Sequence, residues 1–279
     1  MIVSVDVLPV LIINIQVRLV CGFWCSKEVK NKGVYVDLKD IVTRLIIYVA
    51  DQGWTDIVYS SFHALAFICV FFMAVWYGKK LGMTAWLAIV CVITIYPLGE
   101  LWKKTLFWIE TGFQTFGGEN IVRLYIWLPV VAYPICKLLK AKWKVVCDFM
   151  APLIILSHGV GHIGCIFAGC CQGYPQSWGL YNIMTGLYHF PIQPIESIVI
   201  FVIIFILLRR AKKMNYVSDG LGYPIMLMLF GSTRFICEFL RDNEKILLGC
   251  SSLAFHALLA FVIGLIAYYV VKKKSTANP

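Results

Sequence analysis

The sequence predicts an all-α membrane protein of seven transmembrane helices, its core entering from outside and ending inside, with two segments lying in the outer interface. The first observation is composition: 60% of the 279 residues are hydrophobic and only 14% charged, where a soluble domain carries about 25% charged residues. The second is a series of apolar runs long enough to span a bilayer, at about 58–78, 82–102, 120–136, 148–169, 194–208, 221–241 and 251–271. The third is the placement of the basic residues. They fall in short clusters between those runs, at Lys79 and Lys80, from Lys137 to Lys144, from Arg209 to Lys213 and from Lys272 to Lys274. If the seven runs cross in turn, all four clusters share one side, and lysine and arginine mark the cytoplasmic side of short loops. The net charge of +10 is therefore about orientation and anionic headgroups, and no nucleic-acid partner is expected.

Along the chain, residues 1–25 are apolar but interrupted by Asp6, Pro9 and Arg18, and fit either an extra span or an interfacial helix. They carry no basic stretch ahead of the apolar run, so a cleavable signal peptide is not expected. Residues 26–33 read as a polar linker. Residues 34–52 set Val36, Ile41, Leu45, Ile46 and Val49 among Asp37, Lys39, Asp40 and Arg44, an amphipathic pattern suited to lying on a bilayer. Residues 1–54 are accordingly an appendage, 55–275 the seven-span domain and 276–279 a tail. Two outer-side connections, 103–119 and 172–193, are rich in aromatics (Trp178, Tyr181 and Tyr188 in the second), as expected of material at the headgroup level. Asp148 reads as the cap that starts the fourth span. The two halves show no internal repeat, which argues against a transporter built from inverted repeats.

Chemistry concentrates in two places. The stretch Ser157–Tyr174, SHGVGHIGCIFAGCCQGY, repeats small residues at Ser157, Gly161, Cys165 and Gly169, the spacing that lets membrane helices approach closely. His158 and His162 stack on a neighbouring face, and an imidazole midway along a span is a candidate base or polar anchor; His63 raises the same question in the first span. In the sixth run, Arg234, Glu238 and Arg241 share one helix face. A charge at the bilayer centre costs about 2.5–3.5 kcal/mol on insertion scales, so Glu238 is the natural partner of Arg234. The second arginine leaves a net positive stripe able to hold a phosphodiester. Gln193 and Glu196 open the fifth span, and Arg123, four residues after Glu119, reads as a snorkelling interfacial side chain or a headgroup contact. Most of the 11 cysteines, Cys69, Cys91, Cys136 and Cys237 among them, sit inside apolar runs and read as small hydrophobes. Only the Cys170–Cys171 pair sits at a helix end. His162, Cys165, Cys170 and Cys171 have the donor types zinc prefers, but His-x2-Cys-x4-Cys-Cys is not a finger spacing and no second cluster completes it. No metal and no cofactor are expected.

GHIGCIFAGCCQG (161–173), RFICEFLRD (234–242), FPIQPIES (190–197) and SSFHALAF (60–67) together resemble, in order and spacing, the prolipoprotein diacylglyceryl transferase family over about 58–271. The first matches the family's fourth-span signature in its cysteine-containing variant, close to G-R-I-G-C-F-x-A-G-C-C-Y-G; the second and third match R-F-x-x-E-F-x-R and H-P-x-Q-x-x-E. The resemblance implies seven spans in a bacterial plasma membrane and a site facing the outer leaflet. It implies transfer of the diacylglyceryl group of phosphatidylglycerol to the lipobox cysteine of a prolipoprotein, with membrane lipid as the medium. It puts Arg234, His162 and His63 in catalysis, and Arg234, Glu238, Arg241, Arg123, Cys165, Gly173, Glu196 and Gln193 around the lipid. Four positions depart from the family. His162 replaces the signature arginine, His63 a first-span tyrosine and Phe230 a sixth-span tyrosine, and GGENIVR (117–123) stands where the family has H-G-G. A non-catalytic lipid- or lipoprotein-binding relative, one using another acceptor, and a transporter are the alternatives.

Overall fold

A computed structural model describes residues 38–114, 121–244 and 250–277. The readings of residues 1–37, 115–120 and 278–279 lie outside the described residues. Within them the chain forms eight helices and one two-stranded sheet. The helices are α1 (Leu38–Asp51), α2 (Thr55–Lys80), α3 (Ala85–Glu110), α4 (Ile121–Leu138), α5 (Trp143–Ala168), α6 (Ile192–Lys213), α7 (Gly222–Phe239) and α8 (Ser252–Ala277). Between α5 and α6, β1 (Pro175–Tyr181) pairs antiparallel with β2 (Tyr188–His189).

Six of the eight, α2 to α6 and α8, are long and apolar enough to cross a membrane. α7 is not among them, which is the first departure from the expected seven. It carries Arg234 and Glu238 and is buried in the bundle, so its neighbours rather than lipid satisfy its polar groups. α5 is the most buried of the six; it packs on α2, α6, α7 and α4 and so forms the axis of the bundle. α2, α3 and α8 are peripheral and leave large apolar side chains exposed, Phe72, Trp86 and Ile266 among them, the surface a hydrocarbon solvent favours.

Glycines set the closest approaches. A Cβ on Gly231 of α7 would lie 2.7 Å from the backbone nitrogen of Phe261 on α8, and one on Gly264 would lie 2.9 Å from Pro224 O. Backbone atoms cannot yield as a side-chain end can. Gly231→Leu should therefore force α7 and α8 apart and destabilise the fold by about 1–3 kcal/mol or more, read as a lowered midpoint of thermal unfolding in detergent. An unchanged midpoint would mean that the two helices do not pack as closely as described.

Three further expectations change. α3 continues to Glu110, so residues 103–110 are helix rather than loop, anchored by Lys103 Nζ 2.7 Å from Glu100 Oε2. The segment 172–193 holds a hairpin, so the fold is not purely α. Its bulge is enforced at Gly179 (φ 130), where a Cβ would lie 2.2 Å from His189 O. Asp148 sits inside α5, not at its start. Its carboxylate accepts from Ser218 Oγ (2.6 Å), Gly220 N (2.8 Å) and Tyr223 N (3.3 Å), so it caps α7 rather than its own helix. α1 rests on β1 and α5 through Thr43, Ile46 and Val49, with Ile41, Leu45 and Tyr48 exposed.

Candidate active site

Successive helices run antiparallel, so the chain sorts its termini into two ends. At one end lie the basic clusters and the Asp148 cap, with Lys80 over the Tyr216 ring and Arg210 paired with Asp219. At the other, the C-terminus of α5, the N-terminus of α6 and the C-terminus of α7 converge, and here the ionisable residues gather.

Glu196 is the hub. It is fully buried, on the first turns of α6, and sequence reasoning set it beside Gln193 without seeing what it reaches. Arg234 Nη1 donates to both its oxygens, at 2.7 and 2.9 Å. Arg241 Nη2 donates to Oε2, and His162 Nε2 lies 2.9 Å from that same oxygen. His158 Nε2 stands 3.7 Å from Oε1. Glu238 takes the other side: Oε1 is 2.9 Å from Arg234 Nη2 and 3.5 Å from Arg241 Nε, while Oε2 accepts from Asn243 Nδ2 and Ser251 Oγ, each at 2.7 Å.

The expected Arg234–Glu238 pair is thus present, but the net positive stripe is not. Two guanidiniums meet two carboxylates because α6 delivers Glu196 into the face that α7 presents, and the four charges cancel. Burial explains the arrangement: an unpaired ion costs several kcal/mol after relaxation, so every charge here is matched. Arg234 Nε keeps a buried N–H with no hydrogen-bond partner among the described residues. His162 Nε2 also lies 3.0 Å from Arg241 Nη2. One nitrogen cannot accept from Arg241 and donate to Glu196 at once, so the ring can hold its proton in either of two arrangements.

The loop after α5 closes the site. Gly169 ends the helix in the left-handed conformation (φ 69), and Asn182 Nδ2 donates to Gly169 O at 2.8 Å. Gln193 Nε2 donates to Cys170 O (2.9 Å) and Arg241 Nη1 to Cys171 O (3.0 Å). Gly173 is wedged between strands of backbone: it bridges to Arg241, and a Cβ would meet Phe190 O at 2.5 Å and Leu240 O at 3.0 Å. His189 donates from Nδ1 to Gly173 O at 2.8 Å, which leaves Nε2 to accept from Thr185 Oγ1. Gln193 and Gly173 therefore act on the shape of the loop.

The small-residue stripe of α5 splits by function. Gly161 lies against His63, whose Nε2 would be 3.3 Å from a Cβ there, and Gly164 lies against Phe62 and Tyr59. Gly159 instead faces Ile200 of α6, and Gly169 is the cap. His63 donates from Nδ1 to Tyr59 O at 3.0 Å and sits on the α2 side of α5. Arg123 belongs to a different cluster. Its Nη2 is 2.6 Å from Glu110 Oε2, and its Nε donates at 3.2 Å to Nε2 of His256, whose Nδ1 faces Ser252 O. Arg123 is buried and ion-paired, not a snorkelling chain; its partners lie on α3 and α8, too distant in sequence for any spacing to reveal. Between α2, α3 and α5 runs an almost wholly apolar cavity of about 190 Å³, lined by Phe67, Val92, Tyr96, Pro97, Leu153 and Ile154.

A buried arginine pair with a neighbouring imidazole and a nearby apolar cavity can hold an anionic amphiphile and manage one proton. The sequence pattern described as prolipoprotein diacylglyceryl transferase matches residues 41–271. A phosphatidylglycerol–prolipoprotein diacylglyceryl transferase of Clostridium tetani is 28% identical over 151 residues, covering 50% of this chain and 59% of that one. A second, from Clostridium perfringens, is 27% identical over 188 residues, covering 64% and 72%. One from Dehalococcoides mccartyi is 28% identical over 139 residues, covering 46% and 53%.

Proposed function

This chain belongs to the prolipoprotein diacylglyceryl transferase family, and from that premise we propose that it moves the diacylglyceryl group of phosphatidylglycerol onto the lipobox cysteine of a prolipoprotein. The observation that carries the reading is the gathering of Arg234, Arg241 and His162 about one fully buried carboxylate, Glu196.

In the reaction, the acceptor thiol gives up its proton and its sulfur attacks the glyceryl carbon that bears the phosphate ester. The carbon–oxygen bond breaks, a thioether forms, and glycerol phosphate leaves with the bonding pair. Charge therefore grows on the phosphate as the bond breaks, and preorganised guanidinium donors in a dry site are what that calls for. Arg234 supplies the contact, through the Nε–H that has no partner among the described residues. Arg241 is the second cation, and Glu196 and Glu238 hold both in place. His162 is the base, with Glu196 beside its Nε2 to balance the imidazolium that forms. His63, Arg123 and Cys165 border the lipid, with Gln193 and Gly173 shaping the wall, and the apolar cavity suits an acyl chain.

The remaining parts of the reading follow from the two ends of the bundle. With α7 crossing as the seventh span, the basic clusters lie inside and the site opens towards the outer leaflet of a bacterial inner membrane. Residues 55–275 then form the transferase unit, with α1 lying along the interface. The test is complementation of a strain depleted of its own transferase, run with the wild-type chain and with His162→Arg. The wild type should clear unmodified prolipoprotein; accumulation at normal protein abundance would leave a lipid-binding relative as the better reading. His162→Arg places a permanent cation where a proton acceptor stands, and should lower the rate about 10²–10⁴-fold, the range of general acid–base catalysis.

A further inference from the structure

The end of α5 gathers metal-ligating donors around His162. The thiols of Cys165 and Cys171 and a ring nitrogen of His162 all lie within 4.8 Å of one another. The chain reverses to achieve this. Gly169 and Cys171 both take positive φ, at 69° and 57°, and a non-glycine residue in that region costs about 1–2 kcal/mol. The backbone of the turn is pinned from outside the cluster, by Gln193 on Cys170 O and Arg241 on Cys171 O. The thiols are thus brought together by a scaffold.

We propose that Cys165, Cys171 and His162 bind a zinc ion. Bond lengths of ~2.3 Å to sulfur and ~2.0 Å to nitrogen put tetrahedral ligands roughly 3.5 Å apart, so the observed spacing needs only a small contraction. Binding releases the thiol protons to solvent. A divalent ion between two thiolates and a neutral imidazole carries no net charge, and it would sit beside Arg241, a buried cation. The guanidiniums that would repel a bare cation therefore tolerate this one. His162 is already oriented by a carboxylate, Glu196 at 2.9 Å, the usual second partner of a ligating imidazole. Cys171 is exposed and Cys165 buried, which gives the ion a way in and a closed seat. The ion would clamp the loop that walls the arginine pair onto the last turn of α5.

The full chain, purified in detergent under reducing conditions and stripped with chelator, is re-equilibrated with zinc, and bound metal is measured by mass spectrometry. About one equivalent per chain is expected for the wild type, as for a structural site, with loss in Cys165→Ser and in Cys171→Ser. Because Cys171 is exposed, its serine variant should keep the fold. Cobalt in place of zinc should show a thiolate charge-transfer band that Cys171→Ser removes. Wild-type protein that takes up no stoichiometric zinc would overturn the site, as would uptake indifferent to Cys171→Ser or a disulfide among these cysteines that persists in reductant. Metal content is read without any lipid transfer, so failure here leaves the transferase reading standing; zinc held by His162 would instead remove that residue from the role of base.

Discussion

Glu196→Gln is expected to be the most damaging single substitution in this protein. The amide keeps the volume but removes the charge that neutralises Arg234 and Arg241, themselves only 6% and 3% exposed. Two buried guanidiniums would then share Glu238 alone, and breaking a buried ion pair by removing one partner costs about 3–5 kcal/mol. A loss of that size is a large part of the stability of an ordinary domain, so the variant should accumulate poorly and unfold earlier in detergent. Adding Arg241→Met to the same chain removes the surplus cation and should recover part of the loss. Equal thermal midpoints for Glu196→Gln and wild type would show that the carboxylate does not hold the arginines together.

Arg234→Ala should have the largest effect on chemistry. It deletes the donor assigned to the phosphate, and removal of one preorganised donor costs about 2.7–4 kcal/mol, or 10²–10³ in rate. The assay is release of glycerol phosphate from phosphatidylglycerol in the presence of a lipobox peptide, normalised to folded protein. Arg234→Lys separates charge from geometry. Lysine supplies the cation but cannot span Glu196 and Glu238 while leaving a donor free, so it should restore little. A folded Arg234→Ala protein keeping more than a tenth of wild-type rate would remove this arginine from the reaction.

Much of the architecture was legible in the sequence because it answers to the solvent. A hydrocarbon medium demands long apolar helices and sorts basic residues to one side, and both demands leave marks on neighbouring residues. α7 was legible as a helix but not as a buried one, since burial depends on what surrounds it. Its charges, which suggested a net positive stripe able to hold a phosphodiester, turn out to be half of a neutral cluster. The other half comes from Glu196, 38 positions earlier than Arg234. Likewise Asp148 looks like a cap in the sequence and is one, but for a helix that starts more than 70 residues later.

The sequence by itself determined the membrane class, the helical composition, the pairing of Arg234 with Glu238 and the family, because each rests on residue type or on spacing within one helix. Tertiary structure alone decided which charges cancel, that Arg123 pairs with Glu110 and His256, and that a turn with no finger spacing brings two thiols and an imidazole together. Those outcomes depend on distances between helices, which packing sets and no local periodicity encodes.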